Sequence, residues 1–325
     1  MLSELWFWRE ESIAAKTVSA VLSPLAWGYE CGGVLRRRFT TPWRASVPVI
    51  CVGNASLGGA GKTPFAMMLG ELLKENGFTP HFLSRGYGGA VRGPVRVEPE
   101  THTAHDVGDE PLLLAKVAPT WVSQRKRDGA EAAINAGADI IVMDDGFQNP
   151  TIEKDFSILL NDGRRGYGNG KIFPAGPMRE RYDSAKARAD IIVEIKSSAS
   201  AVGTVEAADF AAWLEPQNTI PQRVLAFCGI ANPERFFETL ECAGYDIADA
   251  IAFPDHYAYT VKNIEILKKR AKKLNAALIT TEKDRVRIDA DAQESISTLP
   301  VRMRISDPAA FLAAVTETIA KRGER

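Results

Sequence analysis

The stretch that decides the fold is VPVICVGNASLGGAGKTP, residues 47–64. It opens with an apolar run rich in β-branched side chains, which is typical of a buried strand. A glycine-rich turn follows, and Gly61, Lys62 and Thr63 complete the phosphate-loop pattern G-x-x-x-x-G-K-[ST] at the start of a helix. Ser56 stands where that pattern has its first glycine. A serine can make a turn by bonding its own backbone, so the order of strand, loop and helix still predicts a phosphate-binding loop.

The predicted loop would bind the phosphate groups of a nucleotide. Its small residues let successive backbone N–H groups point into one hollow, where they bind phosphate oxygens. The lysine would neutralise the β- and γ-phosphate charge, and the threonine hydroxyl would bind Mg²⁺. The alternative is a structural turn with a stray lysine, which the flanking strand and helix disfavour. The residues predicted to contact the nucleotide are Ser56, Gly58, Gly59, Ala60, Gly61, Lys62 and Thr63.

Strand-like and helix-like segments alternate beyond this loop. Such alternation predicts an α/β fold, a P-loop-type doubly wound and mostly parallel sheet. Ligands bind such a sheet beyond the carboxyl ends of its strands. Asp144 and Asp145 directly follow the predicted strand DIIVM at residues 139–143, so we expect this pair to hold Mg²⁺. The alternative is a simple Asp-Gly turn.

A second series of strands and helices begins at Gln222. We expect the domain boundary between Pro216 and Pro221. The prediction is therefore a phosphate-loop domain at residues 1–218 and a smaller α/β domain at 219–325, which would include the strand VRMRI and the closing helix. Net charge is −1, which gives no electrostatic case for nucleic acid as a partner. The four cysteines form no CxxC pair, so neither a zinc site nor a disulfide framework is indicated.

The N-terminal segment has two interpretations. The uncharged run from Thr17 to Tyr29 is shorter than the ~20 apolar residues that span a bilayer. Four of the six tryptophans lie in the first 43 residues, which also hold Arg36, Arg37 and Arg38. Aromatic and basic residues together are typical of a helix lying in the headgroup zone of a membrane. The alternative is an amphipathic helix that packs on the protein's own core.

A phosphate loop does not define the reaction, and three hypotheses compete. They are a kinase, a switch-type ATPase or GTPase, and a nucleotide-binding scaffold without catalysis. The switch class that carries KGGxGK[ST] loses its distinguishing lysine at Leu57. The stretch TEKD at 281–284 misses the spacing of a guanine-recognition motif, and its alternative is a polar turn after a strand.

A kinase needs a base near the acceptor hydroxyl. Asp109 and Glu110 in VGDEP open a predicted helix, where carboxylates are favoured by the dipole. The alternative for both is an N-terminal cap. His256 in FPDHYAY is a second candidate, although a lone histidine is more often structural, and spacing alone cannot connect it with Asp109.

The chain resembles the tetraacyldisaccharide 4'-kinase family. The shared pieces, in chain order, are VGNASLGGAGKTP, SRGYGG, VGDEP, DDGFQ, NDGRRGYGNG, PAGPMRE, FCGIANPERFF, FPDHYAY and TTEKD. The resemblance implies ATP and Mg²⁺, two α/β domains joined by a hinge, and a site in the cleft. It also implies phosphoryl transfer to the 4'-hydroxyl of an acylated glucosamine disaccharide 1-phosphate.

The resemblance also implies roles for individual residues. Asp109, paired with His256, would help to deprotonate the hydroxyl, and Lys62 would act in catalysis. Asp144 and Asp145 would bind the metal. The remaining candidates near the reacting groups are Arg85, Tyr87, Gln148, Glu180 and either Arg125 or Arg127. Asn149 departs from the histidine that the family usually has after DDGFQ.

A lipid substrate changes the expectation for the N-terminus. An enzyme whose substrate stays in a bilayer gains by residing there. The resemblance therefore favours a peripheral protein on the cytoplasmic face of the bacterial inner membrane, held by its N-terminal segment. The basic residues between 164 and 181 could meet the sugar 1-phosphate or the nucleotide phosphates, with a solvated loop as the alternative.

Overall fold

The computed structural model describes residues 5–59, 61–164, 166–197 and 208–323. A 3₁₀ turn at Trp6–Trp8 precedes the helices. The helices are α1 Ile13–Phe39, α2 Lys62–Glu75, α3 Ala104–Val107, α4 Asp109–Leu114, α5 Lys126–Asn135, α6 Tyr182–Lys186, α7 Pro233–Cys242, α8 Val261–Lys273, α9 Glu282–Arg285, α10 Ala290–Gln293 and α11 Pro308–Gly323.

The strands form two sheets. The larger sheet contains β1 Val49–Asn54, β2 Pro80–Ser84, β3 Val95–Arg96, β4 Thr120–Val122, β5 Ile140–Asp144, β6 Phe156–Asp162, β7 Ile191–Lys196, β8 Phe210–Pro216 and β13 Val301–Ile305. The smaller sheet contains β9 Arg223–Cys228, β10 Asp246–Ala252, β11 Ala277–Thr281 and β12 Ile296–Leu299.

The larger sheet has the order β13-β8-β7-β6-β1-β5-β2-β4-β3. The seven inner strands are parallel, and the two edge strands, β13 and β3, are antiparallel to their neighbours. The smaller sheet, of order β10-β9-β11-β12, is parallel throughout. The predicted doubly wound, mostly parallel α/β fold is thus confirmed.

Strand β1 is central and buried along its whole length. It pairs with β5 on one side and β6 on the other, so Asn54, Asp144 and Asp162 end neighbouring parallel strands. Helix α2 packs on one face through Phe65, whose ring meets that of Phe311 edge to face at 5.8 Å. The carboxyl ends of the central strands therefore deliver their polar residues to one edge, beside the loop that follows β1.

The prediction for the last strand and the closing helix is wrong. Strand β13, the segment VRMRI, pairs antiparallel with β8 in the larger sheet, with Met303 opposite Leu214. Helix α11 then packs on α2. The reason is that β8 would otherwise leave an open edge, and the inward residues Met303 and Ile305 complete the core there. Local sequence could not reveal this return.

We accordingly propose a large unit formed by the described parts of residues 5–218 and 300–323, and a small unit formed by residues 219–299. The chain crosses between the units twice, once after β8 and once between β12 and β13. Two crossings tie the small unit to the large one at both of its ends.

Helix α1 has two different faces. Ala15, Ser19 and Ala26 are buried, and the Ser19 hydroxyl donates to the Ala175 carbonyl at 2.7 Å. The exposed apolar residues of the segment are Trp6, Ile13, Val21, Leu25, Trp27, Tyr29, Val34, Leu35 and Phe39. In the part of the chain that the structure describes, no helix has the length and apolarity needed to cross a membrane.

Candidate active site

The loop after β1 folds back on its own lysine. The Lys62 ammonium lies 3.2 Å from the Asn54 side-chain oxygen and 3.5 Å from the Gly58 carbonyl. Gly61 has φ 77°, a left-handed conformation that glycine adopts without strain, and α2 begins at the next residue. Burial lowers the pKa of Lys62, and the carboxylate of Asp145 opposes that shift. Ala60, also predicted to contact the nucleotide, lies outside the described residues.

Ser56 fits at the entry of the loop because its backbone is held by pairing. It forms an antiparallel bridge with Met178, and the next residue, Leu57, donates its N–H to the Pro177 carbonyl at 2.7 Å. Ser56 is not among the described residues with positive φ. A glycine is therefore not required there.

Thr63 and Asp144 form the part of the site that suits a metal ion. The Thr63 hydroxyl donates to Asp144 Oδ2 at 2.9 Å. The other oxygen of Asp144 is buried and has no hydrogen-bond partner among the described residues. Burial, together with the neighbouring charge of Asp145, raises the pKa of Asp144 to about 7. A hydroxyl and a buried, unpartnered carboxylate oxygen are donors that fit Mg²⁺.

Asp145 has a different environment from Asp144. Arg179 holds it with two hydrogen bonds, 2.8 Å to Oδ1 and 3.1 Å to Oδ2, and Lys62 lies 3.7 Å from Oδ1. Burial alone would raise its pKa, but Lys62 and Arg179 outweigh burial and lower the pKa of Asp145 to about 2. Within the predicted metal pair, Asp144 therefore has the free oxygen, whereas Asp145 anchors two cations.

Gln148 and Glu180 connect this acidic pair to the rest of the large unit. The Gln148 amide donates to the Asn54 carbonyl at 2.8 Å and to Glu180 Oε1 at 3.1 Å. Glu180 is buried and receives two hydrogen bonds from Arg188, at 2.8 and 2.7 Å. It also pairs with Arg37 of α1 at 3.2 Å. Gln148 and Glu180 thus stabilise the site through their contacts with neighbouring residues of the large unit.

Asp109 and His256 meet at the junction of the two units. Gly108 has φ 89°, and a Cβ there would lie 2.6 Å from the Tyr87 carbonyl, so only glycine fits where α4 begins. Asp109 is 3% exposed, and its Oδ1 accepts the Glu110 N–H at 3.0 Å. Its Oδ2 lies 2.9 Å from His256 Nδ1. The alternative of a simple cap does not account for this second contact.

The pair carries opposing pKa shifts. Burial alone would raise the pKa of Asp109, but His256 and Lys283 outweigh it and leave that pKa lowered. Burial alone would lower the pKa of His256, but its hydrogen bond to Asp109 leaves that pKa raised. The charge of Glu110, next to Asp109, acts on the pKa values of both Lys62 and Asp144, so this end of α4 lies within electrostatic range of the phosphate loop.

A nucleotide loop, an acidic pair and a carboxylate–histidine pair thus share one site, and comparison with known proteins identifies its family. The profile of the family described as tetraacyldisaccharide-1-P 4'-kinase matches residues 18–320. The chain belongs to this family. A curated relative named tetraacyldisaccharide 4'-kinase from Parvibaculum lavamentivorans is 44% identical over 94% of each chain. A second from Rhodospirillum centenum is 42% identical over 95% of this chain and 94% of its own.

A solved structure agrees with the fold. The crystal structure of the family's enzyme from Aquifex aeolicus in complex with ATP superposes with a TM-score of 0.75 at 25% identity, over 93% of this chain and 99% of that one. Membership makes the chain a kinase of lipid A biosynthesis. The kinase hypothesis is thereby confirmed over the switch-type ATPase and the scaffold.

The family resemblance implied that one arginine of this region acts near the reacting groups, either Arg125 or Arg127. Arg127 lies on the surface, where it pairs with Glu131 at 2.8 Å and stacks 5.5 Å from the Trp43 ring centroid. Arg125 is also exposed and caps α5. Lys126, between them, is buried instead. The direction in which each of these three residues projects from the start of α5 determines which side chain faces inward, and distance along the sequence does not.

The buried lysine has no hydrogen-bond partner for its amine among the described residues. Burial lowers the pKa of Lys126 to about 8, although the charges of Asp144 and Asp145 oppose that shift. Sequence reasoning missed Lys126, and the only available signal was its place next to two suspected arginines.

Three other predicted features have simpler surroundings. Tyr87 is exposed, with its ring 5.5 Å from that of His256. Arg85 follows β2, is exposed, and acts electrostatically on the pKa of Lys126. Asn149 accepts hydrogen bonds from the N–H and the hydroxyl of Thr151, at 2.8 and 2.7 Å. The family's usual histidine is therefore replaced here by a residue that closes a turn.

Two cations of the small unit were missed altogether. Lys283 donates to Glu110 Oε1 at 2.7 Å, and Arg287 Nε lies 3.3 Å from Asp109 Oδ2. Asp109, Glu110 and His256 also offer ligand atoms within 4.8 Å of one another, a spacing at which a cation can bind. Lys283 was visible in the sequence only as part of TEKD, and nothing local connects it with VGDEP.

Proposed function

We propose that this chain transfers the γ-phosphoryl group of ATP to the 4'-hydroxyl of a tetraacylated glucosamine disaccharide 1-phosphate. The observation that carries the proposal is the Asp109–His256 contact of 2.9 Å, next to Glu110, whose charge acts on Lys62 of the phosphate loop. A scaffold that only binds a nucleotide has no need of a proton acceptor supplied jointly by two units. A kinase does, because its acceptor hydroxyl must lose a proton during transfer.

The phosphate loop would hold the nucleotide. Backbone N–H groups of this loop would bind the phosphates, and the Lys62 ammonium would neutralise the charge of the β- and γ-oxygens. The Asp145 carboxylate, 3.7 Å from Lys62 and held by Arg179, supports this arrangement because it fixes the direction of the ammonium. Arg179, at the end of the basic loop, is well placed to exchange Asp145 for a phosphate oxygen.

Thr63 and Asp144 would hold the Mg²⁺ ion that accompanies ATP. When bound, Mg²⁺ supplies positive charge to the phosphate oxygens on which negative charge develops during transfer. The unpartnered oxygen of Asp144 supports this assignment, because a buried carboxylate oxygen without a donor is costly unless a ligand completes it.

Lys126 would take the role near the reacting groups that the family resemblance implied for Arg125 or Arg127. A buried ammonium with no partner among the described residues costs stability, so its retention favours a role with a ligand. Among the neighbouring charges, those of Asp144 and Asp145 act most strongly on its pKa, which supports a position near the phosphate end of the nucleotide. We therefore assign it to the transferred phosphoryl group.

The Asp109–His256 pair would accept the proton of the sugar hydroxyl. Oδ2 of Asp109 orients the histidine through Nδ1 and leaves Nε2 on the opposite side of the ring. A carboxylate that fixes the orientation and tautomer of an imidazole is a recurrent way to prepare a base. Tyr87, whose ring lies 5.5 Å from this one and is tilted to it, would border the sugar.

Attachment to the membrane surface would proceed through α1 and the turn before it. The helix buries one face on the loop around Ala175 and leaves apolar residues such as Val21, Leu25 and Trp27 exposed on another. Arg36 and Arg38 follow and are exposed, and cations are suited to anionic headgroups. We propose a peripheral position on the cytoplasmic face of the bacterial inner membrane, where ATP and the lipid acceptor meet.

The test is a phosphate-transfer assay with ATP labelled on its γ-phosphate. The acceptors are a panel of acylated glucosamine disaccharide 1-phosphates, with water as the control acceptor. We expect label on the 4'-position of the tetraacylated acceptor and little release of free phosphate. Free phosphate alone would point to an ATPase, and tight ATP binding without either product would point to a scaffold.

A further inference from the structure

One of the contacts between the two units is made on two neighbouring carboxylates. Three side chains of the small unit, those of His256, Lys283 and Arg287, reach Asp109 and Glu110 at the start of α4. The Lys283 ammonium is 2.7 Å from Glu110 Oε1, 3.7 Å from Asp109 Oδ2 and 3.5 Å from His256 Nε2. It therefore lies within reach of every member of the proposed proton-accepting group.

The fold holds Lys283 in this place through its neighbour. Asp284 is fully buried and accepts hydrogen bonds from the Gly229 N–H and the Tyr259 hydroxyl, both at 2.8 Å. It is also tied to Thr281, whose hydroxyl caps α9 by accepting the Asp284 N–H at 2.9 Å. The turn that presents Lys283 is therefore rigid, because Asp284 anchors it to the core of the small unit.

The same anchor holds His256. The Gly229 carbonyl accepts the His256 N–H at 3.0 Å and a hydrogen bond from Arg287 Nη1, also at 3.0 Å. His256 itself has φ 57°, a conformation that is sparsely populated for residues other than glycine and persists only when its surroundings fix it. Lys283, His256 and Arg287 thus form one rigid group that contacts α4 as a unit.

We infer that Lys283 is a positioning residue for phosphoryl transfer, whose ammonium ties Glu110 to the small unit and thereby holds His256 in contact with Asp109. This inference rests on the proposed function. Two adjacent carboxylates repel each other, and Arg287 contacts only Asp109 among them, at 3.3 Å. Lys283 supplies the counter-charge for Glu110, and its removal would leave that carboxylate unpaired at the unit boundary.

The position also explains why a lysine suits the site. A single ammonium can donate in three directions, and three acceptors of different residues surround this one. Asp255, 3.7 Å from His256 Nε2, adds a further negative charge on the side of the small unit. An uncharged side chain of similar length, such as methionine, would preserve packing but remove all of these attractions.

The experiment compares Lys283→Met with Lys283→Arg and with the control Lys116→Gln. Lys116 also links the units, 3.9 Å from Glu282, but lies outside the cluster. We expect Lys283→Met to lower kcat by about 10- to 100-fold, the loss typical of a misplaced reacting group, with the Kd for ATP unchanged. Lys283→Arg should recover part of that loss, and Lys116→Gln should behave as wild type.

The same substitution in a His256→Asn variant distinguishes a positioning role of Lys283 from a general effect on stability. In His256→Asn, which tolerates the positive φ, the proton acceptor is already lost, so Lys283→Met should cause no further decrease in single-turnover rate. An equal loss in both backgrounds, a decrease that follows the unfolding temperature, or wild-type kcat in Lys283→Met would overturn the inference. If the wild-type chain transfers no phosphate to any acylated disaccharide, the proposed function fails and the inference falls with it.

Discussion

Two pairs of adjacent carboxylates meet in this site, and their surroundings differ. In the pair that follows β5, the pKa of Asp144 is raised to about 7 and that of Asp145 is lowered to about 2. In the pair that opens α4, the pKa of Asp109 is lowered and that of Glu110 is raised, the latter chiefly by burial. Each pair therefore contains one carboxylate whose pKa is lowered and one whose pKa is raised.

The origin of the partners distinguishes the pairs. Lys62, Thr63 and Arg179, which contact the first pair, all belong to the large unit. His256 and Lys283, which contact the second, belong to the small unit. The proposed nucleotide and metal end of the site therefore draws its carboxylate contacts from one unit, whereas the proposed proton-accepting end exists only while the two units are in contact.

The largest effect expected from this comparison is that of Asp109→Asn. The amide cannot accept the proton or hold His256 in the same way, so turnover should fall by about 10²- to 10⁴-fold. The Kd for ATP should change little, because the contacts of Lys62, Thr63 and Asp144 do not involve Asp109. The measurements are the labelled-phosphate transfer assay and direct ATP binding.

Asp106→Asn is the matched control for that variant. Asp106 is a nearby carboxylate that only caps α3, where it accepts hydrogen bonds from the N–H and the hydroxyl of Thr103, at 2.8 and 2.7 Å. It should retain near-normal turnover. Normal turnover in Asp109→Asn would remove the proposed acceptor and with it the distinction between the two pairs.

The second effect concerns the metal end. Thr63→Val preserves shape but removes the hydroxyl that donates to Asp144, so we expect turnover to fall by about 10²-fold and to need more Mg²⁺ for half-saturation. Thr63→Ser restores the hydroxyl and should restore most of the activity. The decisive measurement is the Mg²⁺ dependence of turnover, and an unchanged midpoint in Thr63→Val would contradict the assignment of the metal to this pair.

The two ends of the site also differ in how far sequence could predict them. The order of strand, phosphate loop and helix, with Asp144 and Asp145 after a neighbouring strand, follows from local patterns and the geometry of parallel sheets. The meeting of Asp109 with His256, 147 residues apart, was expected only from family resemblance. Periodicity and spacing carry no information about such contacts.

Some residues lay beyond both kinds of reasoning. The inward direction of Lys126 depends on the residue at which α5 begins, and a shift of one position would have turned Arg125 or Arg127 inward instead. Lys283 depends on how one unit docks on the other. The return of β13 to the larger sheet depends on an edge that the preceding strand leaves open.

The third prediction tests the role of Lys126 at the metal end of the site. Its pKa is about 8 in the folded protein, below the ordinary lysine value of 10.5, so the folded state disfavours its charge. At pH 7 the buried charge costs on the order of 3 kcal/mol, and Lys126→Met should raise the unfolding temperature of the ligand-free protein by several degrees. Turnover should fall by about 10-fold, because a phosphate contact is lost.

The lowered pKa of Lys126 also predicts how the effect of Lys126→Met on stability changes with pH. The cost of the charge is fully present below pH 8, where folded and unfolded chains both carry the proton. It decreases as pH rises towards 10.5, because the folded chain has already released the proton while the unfolded chain still binds it. The stabilisation by Lys126→Met should thus be smaller at pH 9.5 than at pH 7 in thermal unfolding. The control Arg127→Met, on the surface, should show neither effect.

The smallest effect on the chemistry should come from the outer face of α1. Leu25→Ser and Trp27→Ser remove exposed apolar side chains, and neither residue contacts either carboxylate pair in the described structure. Each side chain seated in a bilayer contributes up to ~2–3 kcal/mol, so binding to anionic vesicles, measured by sedimentation, should weaken by about 10- to 100-fold per substitution. Turnover should stay normal with substrate in detergent micelles and should fall only with substrate held in vesicles.

The matched control is Ile266→Ser on α8, which is about as exposed but lies on the small unit. If vesicle binding survived the α1 substitutions and was lost in the control, the small unit would be the membrane-facing one, and its approach to α4 would then depend on the lipid surface.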